Sequence, residues 1–413
     1  MTSDTSSAPE RLHRLGPVEF VALIGALMAL NAFAIDIMLP ALGDIGAALN
    51  VPDDNDRQKV VLVYLFGFGA AQLIYGPLSD RYGRRPVLLG GLALYAAAGV
   101  VSVMATTMDQ LLLARLLQGI GCAAPRVVAI SIVRDCYAGE RMGRILSLTM
   151  MVFMTVPIIA PSIGQLVLFV ASWRAVFLLL TLGGLVMLVW SALRLGETLP
   201  PAARRPFAPG ALLAAYRRTL TTRIAIGYMC ATGVIIGVLF AFVAAAQQIF
   251  TETFDLGPAF PVVLAISGAS LAVASYLNAR LLARFGLRRL SHGALIAFVV
   301  IGALQVLAAL LAPQSVVLFT ALTAAMMFSF GFVGPSFNAL ALEPLGDIAG
   351  TASSMLGFIT TAGGAVIGFV VAQTYDGTVL PIAIGFAVLA LTALAIVAIT
   401  EGGRLFRFSA APG

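Results

Sequence analysis

The chain has 413 residues, 60% hydrophobic and 11% charged, where a soluble domain carries about 25% charged residues. So few charges over so long a chain exclude a soluble globular enzyme and point to a polytopic membrane protein. The net charge of +6 is scattered through short connections between apolar runs, which suits membrane orientation and argues against nucleic-acid binding.

Residues 1–10 are polar, and Arg11 and Arg14 precede the first apolar run at about 18–42. Ala32-Phe33-Ala34 has the small-residue pattern of a signal-peptidase site. The run is span-length rather than a short h-region, so it is read as an uncleaved span. Further spans follow at about 60–79, 86–106, 110–133, 144–169, 174–195, 222–249, 260–283, 291–311, 315–341, 350–373 and 380–400. Each is long enough to cross, since about 20 helical residues span the hydrocarbon core.

Arginines collect in alternate connections: Arg81, Arg84, Arg85, Arg134, Arg141 and Arg144, then Arg194 through Arg223, then Arg280, Arg284, Arg288, Arg289, Arg404 and Arg407. Only Arg57, Lys59 and Arg174 fall on the other side, which predicts that both termini are cytoplasmic. The organisation expected is a tail over 1–17, a six-helix half over 18–195, a cytoplasmic linker over 196–221, a second six-helix half over 222–400 and a tail over 401–413. The linker holds Pro200, Pro201, Pro206 and Pro209, then an amphipathic stretch over 211–220 suited to the membrane surface.

Between the second and third spans lies a charged turn, Gly76–Gly90, GPLSDRYGRRPVLLG. It returns at 279–293, shifted by 203 positions: Leu78 becomes Leu281, Arg81 Arg284, Gly83 Gly286, Arg85 Arg288 and Gly90 Gly293. Ala283 replaces Asp80 and Leu287 replaces Arg84, so the copy is degenerate. Gly76, Leu78, Asp80, Arg81, Gly83, Arg84 and Arg85 match G-x-L-x-D-R-x-G-R-[RK], and the stretch resembles the loop 2–3 motif of the major facilitator superfamily. That resemblance implies an all-α membrane fold of twelve helices in two six-helix pseudo-repeats, with substrate bound between them. It also implies that Arg84 meets an acid at the end of the fourth span, here Asp135. The cluster of Asp80, Arg84 and Asp135 is expected to lock the two halves on the cytoplasmic side.

Asp36 lies in the first span, where a charge costs about 2.5–3.5 kcal/mol, so a functional role is the default. The string IDIMLPAL around it is similar to the first span of bicyclomycin- and chloramphenicol-type exporters, the Bcr/CflA group of drug:proton antiporters. In that group the first-span acid is implicated in proton coupling. In the fourth span, Arg115, Gln118, Gly119 and Gly121 resemble the superfamily motif R-x-x-Q-G-x-G. A buried guanidinium needs a partner, and Asp36 at matching depth is expected to supply it, with Arg115 tuning the proton.

Arg126 lies eleven residues beyond Arg115, about 20° from the same helix face at 100° per residue. Gly119 and Cys122 share that stripe, which suggests a cavity wall. With Asn31 and the membrane-embedded Gln247, Gln248 and Asn338, these residues form the expected substrate cavity. Pro157, Pro161 and Gly164 resemble the antiporter motif of the fifth span, although Ala160 and Gln165 replace two of its glycines.

Cys122, Cys136 and Cys230 show no C-x-x-C spacing, and His13 and His292 fall in connections without metal-ligating neighbours, so neither a metal site nor a cofactor is expected. No nucleophile–base set or nucleotide loop speaks for an enzyme, and no sensor domain remains for a receptor once the spans are counted. The reading is a bacterial inner-membrane secondary transporter that exports a small organic drug or metabolite in exchange for protons. The alternative within transport is proton-coupled import of a small organic anion. Its partners would be substrate, protons and the lipid bilayer, and a monomer suffices.

Overall fold

Backbone polar groups in hydrocarbon must be satisfied within the chain, so apolar runs of this length become helices. The computed structural model describes residues 15–137, 139–204 and 209–406, and among them there is no strand. The outer parts of both tails, with His13 and Arg407, and residues 205–208 of the linker lie outside the described residues.

The membrane helices are α1 (Pro17–Asp36), α2 (Lys59–Tyr82), α3 (Arg84–Met104), α4 (Met108–Cys136), α5 (Gly139–Val170) and α6 (Trp173–Arg194), then α7 (Arg223–Gln248), α8 (Phe260–Phe285), α9 (Leu287–Leu311), α10 (Val316–Leu342), α11 (349–372) and α12 (Leu380–Thr400). By length and apolar composition, ten helical stretches among the described residues can cross a membrane. One of them, Val316–Ala372, contains both α10 and α11, which meet at a turn where Leu345 leaves helical geometry. The 32-residue α5, apolar from Thr155 to Val170, supplies the remaining passage. Each of the twelve predicted spans is helical.

The packing repeats. In the first group α4 packs on α2 and α3, α3 on α6, and α1 on α5; in the second, α10 packs on α8 and α9, α9 on α12, and α7 on α11. Small residues let these backbones touch, because helix association in lipid depends on close packing. A Cβ on Gly119 of α4 would stand 2.1 Å from the Tyr64 carbonyl oxygen of α2, and one on Gly331 of α10 would stand 2.9 Å from that of Leu271 in α8. Between the groups, α2 meets α11 and α5 meets α8. Where α2 crosses α11, a Cβ on Gly69 would lie 2.4 Å from the Ala362 nitrogen, inside a π-turn over Ile359–Gly363.

The linker helix, Pro209–Thr221, bridges the two groups. Tyr216 donates to the Leu73 carbonyl of α2 at 2.8 Å, and Arg218 pairs with Asp347 in the turn before α11. The amphipathic stretch expected on the membrane surface is thus held against protein on one face, where Thr219 is buried.

Candidate functional site: a buried acid beneath an inter-group seam

Asp36 is the last residue of α1, just before the short helical turn Leu39–Ala41, where Pro40 interrupts regular bonding. It is 9% exposed, and among the described residues its carboxylate forms no ion pair. Gly164 of α5 closes the other side, since a Cβ there would stand 2.0 Å from the Ile37 carbonyl oxygen. Pro161, one turn earlier, is buried, while Pro157 is half-buried.

Arg115 is fully buried but does not pair with Asp36, contrary to the expectation from sequence. Its Nη2 donates to the Ala34 carbonyl at 3.1 Å, its Nε to the Val60 carbonyl at 3.2 Å and its Nη1 to Gln118 Oε1 at 2.7 Å. The guanidinium also lies 4.2 Å above the Tyr64 ring, a cation–π contact strengthened by burial. The reason is local. Ala34 belongs to the last turn of α1, where carbonyls lack helical partners and attract a cation. Arg115 therefore reaches Asp36 through two residues of α1 backbone rather than by direct contact.

The stripe expected to line a cavity is largely packing. Cys122 is fully buried, and Gly119 lies against Tyr64 in the seam of α2 and α4. Tyr64, which the sequence reading did not single out, gathers this cluster: its hydroxyl donates to Asn31 Oδ1 at 3.0 Å, and its ring lies under Arg115. Its signal was a hydroxyl in the otherwise apolar run of residues 60–71. Further along α4, Arg126 is half-buried and follows Pro125, which lies inside the helix. On α10, Asn338 is half-buried, and its Oδ1 has no hydrogen-bond partner among the described residues.

Directly beyond the Arg115 layer, a polar seam joins the two groups. The Gln58 amide donates to Gln248 Oε1, the Gln248 amide to Asn55 Oδ1 at 2.8 Å, and the Asn55 amide to the Tyr375 carbonyl at 2.9 Å. The Gln373 amide returns to the Asn55 carbonyl at 2.8 Å, and Arg57 pairs with Glu252. Gln58 and Gln248 are 0% and 1% exposed. Gln248, expected in the substrate cavity, is thus part of this seam between the groups. Its neighbour Gln247 bonds Thr251 at 2.9 Å close to Gly43, at the same end of the bundle.

At the opposite end, Arg84 donates to Asp80 at 2.5 Å, to Asp135 at 2.8 Å and to Ser79 at 2.7 Å. All four residues belong to the first group, so this cluster braces α2, α3 and α4 instead of locking the two halves as expected. Glu197, also missed in the sequence, caps the turn by accepting from the Arg84 and Arg85 backbone N–H groups at 2.9 and 3.3 Å. Gly83 has φ of +102°, and a Cβ there would strike Glu197. Arg85 reaches the Ala192 carbonyl of α6 at 2.7 Å, while Arg81 is exposed and lies over Tyr82. The motif approaches the second group at Gly76, where a Cβ would stand 3.1 Å from Ser354 Oγ of α11.

The second turn has its own cluster. Arg288, the counterpart of Arg85, donates to Glu401 beyond α12 at 3.0 Å and approaches Glu343 at 3.6 Å. His292, expected in a connection, is buried in α9. Its Nδ1 accepts from the Phe406 N–H, so Nε2 carries the proton and donates to the Tyr228 hydroxyl at 2.9 Å; that hydroxyl donates to Glu401 at 2.7 Å. Among the described residues no cluster of His, Cys, Asp and Glu is suited to a metal ion.

Twelve helices in two packing-related groups, with a buried acid near the boundary between them, match the architecture of a secondary transporter. The sequence matches the model of the Major Facilitator Superfamily over residues 21–368, and the chain belongs to that family. It is a multi-pass inner-membrane transporter and not an enzyme. The uncharacterized MFS-type transporter YdgK of Bacillus subtilis is 30% identical over 356 residues, 84% of this chain and 86% of YdgK. The bicyclomycin resistance protein homolog of Haemophilus influenzae is 28% identical over 369 residues, 88% and 91% of the two chains. The multidrug resistance protein MdtL of Escherichia coli K12 is 30% identical over 340 residues, 82% and 84%. Among solved structures, a D-xylose-proton symporter superposes with a TM-score of 0.72 at 15% identity, covering 94% of this chain and 99% of its own. The likeness at that identity is one of fold.

Proposed function

We propose that this protein exports a small organic molecule in exchange for protons, by alternating access, with Asp36 as the proton carrier. The observation that carries the reading is the position of Asp36: buried, outside any ion pair among the described residues, and two residues from the carbonyl that holds Arg115. Val60, the other carbonyl on Arg115, is two residues from Gln58 of the seam. Opening the seam displaces the start of α2, removes one ligand of Arg115 and frees the guanidinium to approach Asp36 and promote proton release. Closing it returns Arg115 to the Ala34 and Val60 carbonyls, as in the arrangement seen here, and lets the acid rebind a proton. Substrate competes for the same layer, which couples the two flows. The resistance functions in the names of the H. influenzae and E. coli relatives support the export direction.

The same reading treats α1–α6 and α7–α12 as the two moving halves and places both termini, Arg84 and Arg204 in the cytoplasm, with the seam on the periplasmic side. In proteoliposomes carrying a pH-sensitive dye, addition of a phenicol-type drug should produce substrate-dependent proton flux, and Asp36→Asn should reduce it at least tenfold while leaving drug binding measurable. Wild-type flux in the Asn variant rejects Asp36 as the carrier. Substrate and protons moving in the same direction would replace export with the import of an organic anion.

A further inference from the structure

At the end of the second group that carries the repeated turn, α8, α9 and α10 leave a groove of about 390 Å3. Leu281 and Phe285 of α8, Arg289 and Gly293 of α9, and Phe328 and Phe332 of α10 line it. The groove faces lipid: α9 packs on α10 and α12, Phe285 is 44% exposed, and a Cβ on Gly293 would meet nothing within 4 Å. Its wall runs from Arg289 to Ala297 along α9, about 12 Å of helix. Arg289 is the one charged residue of this lining, Arg280 and Arg284 each precede a lining residue of α8, and the rest is almost wholly apolar.

The cations are particular to this half. At the repeat shift of 203 positions, Arg280 and Arg289 stand where the first half has Pro77 and Pro86. The inward-facing arginines of the two turns are already engaged: Arg84 by Asp80 and Asp135, and Arg288 by Glu401 and Glu343. Arg280 and Arg284 instead lie over the outward rings of Tyr276 and Phe285, at 4.6 and 5.5 Å, and neither pairs with a described acid. No acid lines the groove. A cationic mouth over an apolar slot at the end of a membrane bundle matches a phosphate head group attached to an acyl chain.

We infer that this groove is a binding site for one anionic phospholipid, its phosphate at Arg289, Arg284 and Arg280 and an acyl chain lying along Gly293. The probes are dioleoyl phosphatidylglycerol and dioleoyl phosphatidylcholine, added to the detergent-purified protein and followed by native mass spectrometry. Wild type should retain one phosphatidylglycerol with at least fivefold preference over phosphatidylcholine. The double variant Arg280→Gln/Arg289→Gln should abolish the preference, Arg280→Lys/Arg289→Lys should keep it, and Gly293→Leu, which fills open space without disturbing the fold, should displace the lipid. Equal retention of the two lipids in wild type, or a preference that survives either the Gln pair or Gly293→Leu, overturns the assignment.

Discussion

The Gln58 side-chain amide donates to Gln248 Oε1 across the boundary between the two helix groups, 190 residues apart in sequence and with both side chains shut off from solvent. A buried hydrogen bond whose partner is removed costs about 1–3 kcal/mol, and every 1.4 kcal/mol is a tenfold change in an equilibrium. Gln58→Ala should therefore shift the balance of open and closed seams roughly tenfold toward open. Spin labels at the exposed positions Pro52 and Asp376 report this by double electron–electron resonance. The long-distance population should grow in Gln58→Ala and in Asn55→Ala; an unchanged distribution in both would show that the seam does not hold the groups together.

Gly164 permits α5 to touch the backbone just after Asp36. Even a methyl group cannot fit beside the Ile37 carbonyl without movement. Overpacking of this kind costs about 1–3 kcal/mol, and here the displaced segment carries the acid. Gly164→Ala should lower proton-coupled flux about tenfold while substrate-independent stability falls modestly. Flux equal to wild type in a folded Gly164→Ala protein removes the fifth-span glycine from the coupling machinery.

Arg84 is buried between two carboxylates, one of which, Asp135, is itself mostly shielded. Removing one partner of a buried charge cluster costs about 3–5 kcal/mol. Arg84→Ala should thus lower the detergent melting temperature, and transport with it, while substrate affinity stays within about threefold. Because the brace lies within the first group, seam-end distances should not change. A large change there would return the cluster to the inter-half role suggested by the motif.

Glu401, past the end of α12, gives a pH test outside the membrane helices. Burial alone raises its carboxyl, but hydrogen bonds from Tyr228 and Arg288 outweigh burial and hold it below the usual carboxylate range. With the folded value depressed, its contribution is fully present above the unfolded pKa of about 4.3 and is lost as pH falls through the lower folded value. The melting-temperature difference between wild type and Glu401→Gln should be constant from pH 8 to about pH 5.5 and shrink below pH 4.5. A difference that grows on acidification contradicts this sign.

Some of this was legible in the sequence and some was not, for physical reasons. The spans were readable because hydrocarbon thickness fixes their length, and the paired turns because Gly83 and Gly286 both adopt positive φ, +102° and +75°. Arg115 and Asp36 were expected to pair at one depth, but the arginine took backbone carbonyls, and a carbonyl leaves no mark in a side-chain pattern. The alternation that put Gly119 on a cavity wall identified a helix face without saying what covers it. Asn55 and Gln58 carry no local signal, since their partners Gln248 and Gln373 lie 190 to 318 positions away. Glu197 gave no signal because it bonds N–H groups, which every residue but proline carries.

The π-turn at Ile359–Gly363 gives α11 the character of a clutch. A π-turn holds one residue more than the α-helical ladder needs. Drawing that residue out would turn everything after it by about 100° and shift it by about 1.5 Å. The segment that would turn, Gly364–Ala372, leads straight to Gln373 and Tyr375, whose bonds to Asn55 close the seam. Rotation about the axis of this one helix would carry the Gln373 and Tyr375 bonds out of register, while Gln58–Gln248 and Arg57–Glu252, held from the α7 side, would remain for the bundles themselves to part. The Gly69–Ala362 crossing, where the two backbones touch, is the fixed bearing about which it would turn.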